Sequence, residues 1–198
     1  APVYNRLLSG QGEFLTELRS TIPIFLKFAG IDYDGDDAAG EKLSAFVTWV
    51  QRLLTGYEGY LIDISVGDKG SYLYCVFGAP MAHENDVWRA LTVASQLRRP
   101  PPELDFIKTI QIGISQGMMR TGGYGGTERR TYGVLGSEVN MAARLMEKAG
   151  PGQVLASGRV RTQAGHAFSW QDLPPIMVKG NADPLPVSIL LEPARTFS

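Results

Sequence analysis

A segment from Tyr132 to Leu145 combines a short extended stretch with an amphipathic helix, and it reads YGVLGSEVNMAARL. Ser137 stands where it can cap that helix. Asn140 and Arg144 are four residues apart, so the predicted helix places their side chains on one face. An amide beside a guanidinium suits a ribose oxygen and a phosphate that gains negative charge during a reaction. A polar pair on an exposed helix would have the same spacing, so the residues alone leave both interpretations open.

The acidic run that begins at Asp32 has the spacing of a calcium loop at its start only. Aspartates recur at 32, 34 and 36, but Asp37 and Leu43 stand where such a loop needs glycine and glutamate. We therefore expect loop carboxylates that cap the following helix, with Asp36 or Asp37 at its N-cap.

Glycines and histidines add little further chemistry. Residues 122–126 read GGYGG and lack the Lys-Ser/Thr of a phosphate loop, so they predict a flexible hairpin tip. His83 and His166 are far apart in the sequence, which gives no support for a catalytic dyad or a zinc site.

Apolar periodicity predicts the elements that would position Asn140 and Arg144. Residues 22–29 form a near-continuous apolar run, which is typical of a strand covered on both faces. The order strand, helix, strand, strand, helix, strand predicts an α+β fold with a ferredoxin-like core and a C-terminal α/β extension. The predicted strands are 22–29, 60–65, 72–77, 110–115, 154–156, 176–178 and 187–190, and the predicted helices are 38–54, 84–98, 137–148 and a short one near Arg159.

The 198 residues are enough for one globular domain, which buries about 70% of the surface of the unfolded chain. We expect a lead-in with a short helix at 1–20, a single domain at 21–192 and a tail at 193–198. The chain begins with Ala1 and Pro2, and we expect it to be a piece of a longer protein.

Charge and composition exclude several classes of partner. Nineteen Lys and Arg against 20 Asp and Glu give a net charge of −1, which argues against nucleic acid and anionic membranes as partners. No apolar run reaches the length of a membrane-spanning helix. Cys75 is the one cysteine and lies in an apolar strand, so we expect a buried thiol and a cytoplasmic location.

The segment from Tyr132 to Leu145 resembles the one in which class III adenylyl and guanylyl cyclases carry their Asn and Arg, written Y-T-V-I-G-x-x-V-N-x-A-A-R. Residues 68–70 look most like the second, metal-free half of soluble, bicarbonate-responsive adenylyl cyclases. Further segments resemble, in order, the first strand, the central hairpin, the I-G-I-x-x-G strand and the closing V-K-G of the family: 22–29, 66–78, 112–117 and 178–180.

The resemblance implies a dimer, formed by two copies or with a second cyclase half-domain, that binds ATP or GTP at its interface. Two aspartates of such a site bind Mg²⁺ or Mn²⁺, while a lysine and an aspartate or threonine read the purine. The ribose 3′-hydroxyl then attacks the α-phosphate. Carried over to this chain, Asn140 and Arg144 are the catalytic residues, and Gly133, Val134 and Asn140 are the nucleotide-binding residues.

The chain departs from the family pattern at the metal and purine positions. Gly30 stands where the first metal aspartate is usual, and Asp68 is about three residues further than usual from the end of its hairpin. Asp63 and Ile64 stand where the purine-reading lysine is expected, and Gly133 replaces the aspartate or threonine. We therefore expect no metal site in this chain alone, and Mg²⁺ or Mn²⁺ only when it pairs with a metal-competent half.

These departures favour a degenerate cyclase homology domain, inactive alone, that supplies the Asn and Arg of a paired site or regulates its partner. One alternative is an active homodimer that uses Asp32 or Asp68 as an unconventional metal ligand. Another is a catalytically dead module that binds a nucleotide or a small anion. The residues do not decide between adenine and guanine.

Overall fold

The computed structural model describes residues 17–67, 70–125, 130–177 and 183–193. Nine strands and four α-helices lie in these ranges. The strands are β1 (Glu17–Ala29), β2 (Tyr60–Ser65), β3 (Ser71–Phe77), β4 (Thr109–Ile114), β5 (Gly117–Gly125), β6 (Arg130–Leu135), β7 (Val154–Ser157), β8 (Phe168–Ile176) and β9 (Leu185–Pro193). The helices are α1 (Ala39–Gly56), α2 (Asp86–Leu97), α3 (Ser137–Lys148) and α4 (Gly158–Ala164), with a 3₁₀ turn at Pro102–Leu104.

The central sheet has the order β2-β3-β1-β4-β7-β9-β8. Neighbouring strands among the first four are antiparallel, and α1 and α2 connect them, which is the ferredoxin-like arrangement. β7 then adds parallel to β4, and β9 and β8 complete the C-terminal extension. The predicted α+β fold with a ferredoxin-like core is confirmed.

β1 is buried on both faces, as its apolar run predicts. Ile24 and Leu26 lie in the core formed with α1 and α2, whereas Phe25 lies in a second core on the opposite face. α3 closes that second core with Ala142 and Met146. The helix with Asn140 and Arg144 is therefore held against the sheet face that α1 and α2 leave open.

Close approach of α3 to the sheet depends on Gly113 of β4. A Cβ at residue 113 would lie 2.1 Å from the carbonyl oxygen of Ala142 and 2.2 Å from the backbone nitrogen of Met146. Because real Cβ atoms essentially never come closer than 3.0 Å to such atoms, any larger residue would push α3 off β4.

The glycine-rich segment after Gly117 forms an antiparallel pair of strands. β5 pairs with the first residues of β1 and with β6. The first residues of β1, β5 and β6 therefore form a three-stranded antiparallel segment. The flexible tip expected at 122–126 is wrong for 122–125, which are strand because they pair with β6. Residue 126 lies outside the described residues.

Further expectations are wrong. Gly136, and not Ser137, is the N-cap of α3. Residues 17–20 of the expected lead-in are strand, because β5 supplies hydrogen-bond partners that local periodicity does not reveal. The strand expected at 176–178 instead covers 168–176, where Pro174 and Pro175 are tolerated because β8 is an edge strand. Residue 38 is the N-cap of α1, and Asp36 accepts a hydrogen bond from the Ala38 backbone N–H instead of capping the helix.

Candidate active site

α3 presents Asn140 and Arg144 on its exposed side. Its opposite side is buried through Met141, Ala142, Leu145 and Met146. The two polar side chains are one helical turn apart and are accessible to a ligand or to a second protein. The predicted helix is confirmed, whereas the catalytic roles of Asn140 and Arg144 remain predictions.

The strand before α3 is anchored by Tyr74 of β3. The hydroxyl of Tyr74 donates a hydrogen bond to the carbonyl oxygen of Val134 at 3.1 Å, and its ring stacks on Phe25 with centroids 4.7 Å apart. Burial raises the pKa of this tyrosine, so it remains a neutral donor. Val134 as a whole residue is 1% exposed, so neither its side chain nor its backbone offers accessible surface to a nucleotide in this conformation.

Tyr124 of β5 lies over Gly133, which is a feature that sequence reasoning missed. A Cβ at residue 133 would lie 3.0 Å from Cδ2 and 3.2 Å from Cε2 of the Tyr124 ring. The ring therefore occupies space into which the family's purine-reading aspartate or threonine would extend. The glycine-rich segment suggested only a flexible tip, and the strand register that brings Tyr124 close to Gly133 emerges from the pairing of β5 with β6.

The end of β1 leaves no room for a side chain at Gly30. Its φ is +127°, which L-residues rarely adopt, and a Cβ would lie 2.0 Å from the carbonyl oxygen of Phe106 and 2.8 Å from the backbone nitrogen of Lys108. The backbone here is fixed by a hydrogen bond from the Lys108 N–H to the carbonyl of Ala29, at 2.8 Å. The position of the family's first metal aspartate is thus filled by the backbone of residues 106–108.

The loop after β1 uses its carboxylates locally. Oδ1 of Asp32 accepts hydrogen bonds from the backbone N–H groups of Asp34 and Gly35, at 3.2 and 3.0 Å. Asp36 forms an ion pair with Lys42 at 2.5 Å, and this lysine together with the Ala38 N–H lowers the pKa of Asp36. These carboxylates therefore stabilise the loop through local contacts, which differ from those of a calcium loop, and they do not cap α1.

Lys27 of β1 forms an ion pair with α3, and sequence reasoning also missed this contact. Its ammonium forms an ion pair with the Glu147 carboxylate, with N–O distances of 3.2 and 3.4 Å. Its Cε atom lies 2.9 Å from where a Cβ of Gly70 would stand, at the end of the β2–β3 turn. A charged residue inside an apolar run was the one available signal, but it does not reveal a partner 120 residues away.

Part of the predicted site lies outside the described residues, namely Asp68, Lys69 and the V-K-G segment at 178–180. Within the ranges that are described, no three His, Cys, Asp or Glu side chains form a group that could hold a metal ion. The ring nitrogens of His83 lie there 3.0 Å from a Glu58 carboxylate oxygen and 3.3 Å from an Asp86 carboxylate oxygen.

Comparison with known proteins decides the family. The protein-family model of the adenylate and guanylate cyclase catalytic domain matches residues 39–190 of the chain. The chain belongs to the family of adenylate and guanylate cyclase catalytic domains. This cyclase domain is 30% identical to adenylate cyclase type 10 of Rattus norvegicus over 176 residues, which are 88% of the chain. It spans only 11% of the length of that relative.

Solved structures share the fold of this cyclase domain. The adenylyl cyclase CyaB from P. aeruginosa has a TM-score of 0.79 at 20% identity, over 93% of this chain and 100% of that one. The guanylate cyclase domain of RhGC from Catenaria anguillulae, solved in complex with GTP, has a TM-score of 0.77 at 18% identity, over 88% and 97%. The predicted resemblance to class III cyclases is confirmed. Among the described helices of the cyclase domain, none has the length and apolarity needed to span a bilayer.

Proposed function

We propose that this cyclase domain supplies Asn140 and Arg144 to a nucleotide site that it shares with a second cyclase half, and that it forms no cyclic nucleotide alone. The observation that carries the proposal is Gly30, where the Phe106 carbonyl lies 2.0 Å from the position of a Cβ. Gly30 has no side chain that could bind a metal ion, and the backbone of residues 106–108 occupies the space that such a side chain would need. A partner half would have to bring the aspartates for Mg²⁺ or Mn²⁺.

The active-homodimer alternative depends on Asp32, among the described residues. Oδ1 of Asp32 already accepts two backbone hydrogen bonds that hold the loop in shape. Recruiting this carboxylate to a metal would require the loop to rearrange. The geometry therefore favours a paired site over a homodimeric one.

In the proposed pair, this chain would orient the nucleotide and stabilise charge. The Asn140 amide would hold the ribose so that its 3′-hydroxyl faces the α-phosphate. The Arg144 guanidinium would donate hydrogen bonds to phosphate oxygens as they gain negative charge. Metal ions from the partner half would supply the polarisation of the phosphate.

The substrate in this proposal is ATP or GTP. Support comes from the fold shared with a guanylate cyclase domain solved with GTP and from the sequence likeness to an adenylate cyclase. Tyr124 above Gly133 offers a ring surface in place of a hydrogen-bonding side chain, which favours weak discrimination between the two purines. The buried thiol of Cys75 fits a cytoplasmic setting.

Reconstitution tests the proposal. A metal-competent cyclase half whose own arginine at the position equivalent to Arg144 is replaced by alanine is mixed with this chain, and cyclic nucleotide is measured by mass spectrometry. We expect product only from the mixture, with a loss of about 10²- to 10³-fold for Asn140→Ala or Arg144→Ala. Lys148→Ala, on the exposed last turn of the same helix, serves as the matched control and should keep the activity.

Two other results would each contradict the proposal. Metal-dependent product from the chain alone, lost in Arg144→Ala, would establish an active homodimer. A mixture that forms a complex without product would favour the catalytically dead binding module.

A further inference from the structure

A hydrogen bond attaches the first turn of α3 to the sheet, two residues before Asn140. Oγ of Ser115, which directly follows β4, donates to a carboxylate oxygen of Glu138 at 2.5 Å. Ser115 is fully buried and Glu138 is partly buried. A hydrogen bond to a carboxylate is roughly twice as strong as one between neutral groups, so this contact holds the start of the helix on the sheet.

Glu138 continues the row of residues with which α3 packs on β4. Residues 138, 142 and 146 are spaced by four, so they share one side of the helix. Ala142 and Met146 belong to the buried core, and their backbone passes so close to β4 that a Cβ at Gly113 would not fit. α3 is therefore held to this strand at two points, at Gly113 and at Ser115.

Side-chain capping does not contribute to the attachment of the first turn. Among the described residues, none forms a side-chain capping hydrogen bond at this end of α3, whose N-cap is Gly136. The exposed Ser137 is the first residue of the helix. The bond between Ser115 and Glu138 therefore replaces a cap as the side-chain anchor of this turn.

The bend between β4 and β5 provides the space that Glu138 occupies. A Cβ at Gly117 would lie 2.6 Å from Cγ of Glu138 and 3.2 Å from Nη1 of Arg159. On the side of α4, Nε2 of Gln116 donates to Oε1 of Gln163 at 2.7 Å, and Nη1 of Arg159 donates to the Gln116 carbonyl at 3.5 Å. The bend is thus held by α4, which gives α3 a fixed point of attachment.

The anchored side of α3 is opposite the side that carries the proposed catalytic pair. At about 3.6 residues per turn, Asn140 lies about 200° around the helix axis from Glu138. Side-chain ends lie about 5–6 Å from the axis, so a rotation of α3 by about 10° would move them by about 1 Å. A misplacement of about 1 Å can reduce a rate by about 10²-fold.

We infer that Glu138, bound to Ser115, is a positioning residue that sets the rotation of α3 and thereby the direction of the Asn140 amide and the Arg144 guanidinium. The inference rests on the proposed function, and it adds the residues on which the orientation of the pair depends. Glu138 acts through the helix, from the side that faces away from the nucleotide.

Amide hydrogen exchange, measured by NMR on the chain alone, tests the anchoring independently of activity. Glu138→Ala and Ser115→Ala should each make the backbone amides of residues 139–142 exchange about tenfold faster, because the first turn opens locally. Slow amides of β2 and α1 should change much less, whereas a general loss of stability would raise all slow rates together. Ser137→Ala is the matched control, since Ser137 is exposed in the same turn, and it should leave the rates unchanged.

The reconstituted pair tests the effect on the reaction. Glu138→Ala should lower kcat about tenfold with little change in KM, because it misdirects groups that act in the transition state. Glu138→Gln keeps an oxygen that accepts the Ser115 hydrogen bond, so it should retain most of kcat. In the background of Asn140→Ala, Glu138→Ala should cost less than in the unmodified chain, because part of its effect passes through the residue already removed.

Three results would each overturn the inference: unchanged exchange at residues 139–142, equal losses of kcat for Glu138→Ala and Glu138→Gln, or a full tenfold further loss in the Asn140→Ala background. Activity of the unmodified pair would still support the proposed function in those cases. Faster exchange at residues 139–142 in a chain that gives no reconstituted activity would support the anchoring of α3 and refute the proposed function.

Discussion

Replacing Gly30 with aspartate restores the residue type that the family carries at its first metal position, and the structure predicts that the change damages the fold without creating a metal site. A Cβ at residue 30 would lie 2.0 Å from the Phe106 carbonyl oxygen, whereas real Cβ atoms stay at least 3.0 Å from such atoms. The backbone would therefore have to move by about 1 Å.

Two costs contribute to the loss of stability. A non-glycine residue at a φ of +127° costs about 1–3 kcal/mol, and forced overpacking typically costs about 1–3 kcal/mol more. Their sum is about 2–6 kcal/mol. Each kcal/mol lowers the Tm of a domain of this size by about 2–4 °C, so we expect a fall of about 10 °C.

Two alanine variants separate the causes. Gly30→Ala meets the same backbone atoms without adding a carboxylate, so its Tm should fall nearly as far. Gly152 also has a positive φ, of +74°, but nothing lies within 4 Å of its Cβ. Gly152→Ala should therefore show a conformational cost without a steric one.

The assay combines thermal unfolding with cyclic nucleotide production in Mn²⁺. A Gly30→Asp variant as stable as the parent chain would refute the steric argument. Metal-dependent product from that variant would also show that the loop of residues 106–108 yields easily to a metal ligand.

Two further predictions concern the stability of the fold. Gly113→Ala should lower the free energy of unfolding by about 3 kcal/mol or more, because α3 must move off β4. Urea denaturation measures this loss. The control is Gly40→Ala in α1, which has open space around its Cβ and should be neutral or stabilising. Burial raises the pKa of Cys75 to about 12. Above about pH 8.5 the thiol therefore ionises in the unfolded chain but not in the folded one. The free energy of unfolding should fall by about 1.4 kcal/mol for each pH unit above about 8.5. Urea titrations at pH 8 and pH 10 should show a smaller loss for Cys75→Ala, and an identical loss would contradict the assignment.

Local patterns were sufficient for most elements of this chain. The apolar run at 22–29 predicts a strand buried on both faces because apolar side chains alternate between two covered surfaces. The apolar stripe of residues 137–148 predicts a helix with Asn140 and Arg144 on its outer side because of the 3.6-residue period. The buried thiol of Cys75 follows from its apolar neighbours.

Contacts between distant residues were not predictable in the same way. The sequence has glycine at residue 30, where the family has aspartate. Only the tertiary structure shows that the Phe106 carbonyl occupies the space of a side chain at residue 30. Lys27 meets Glu147 across 120 residues of chain, and Tyr124 covers Gly133 through strand pairing.

By itself, therefore, the sequence determined the fold, the family and the helix that carries the candidate catalytic pair, because these depend on local periodicity and on the order of motifs. The tertiary structure decided which family positions can still accept a side chain and which distant residues meet, such as Lys27 and Glu147. Those properties depend on distances between elements, which are set when the sheet, its helices and its loops pack together.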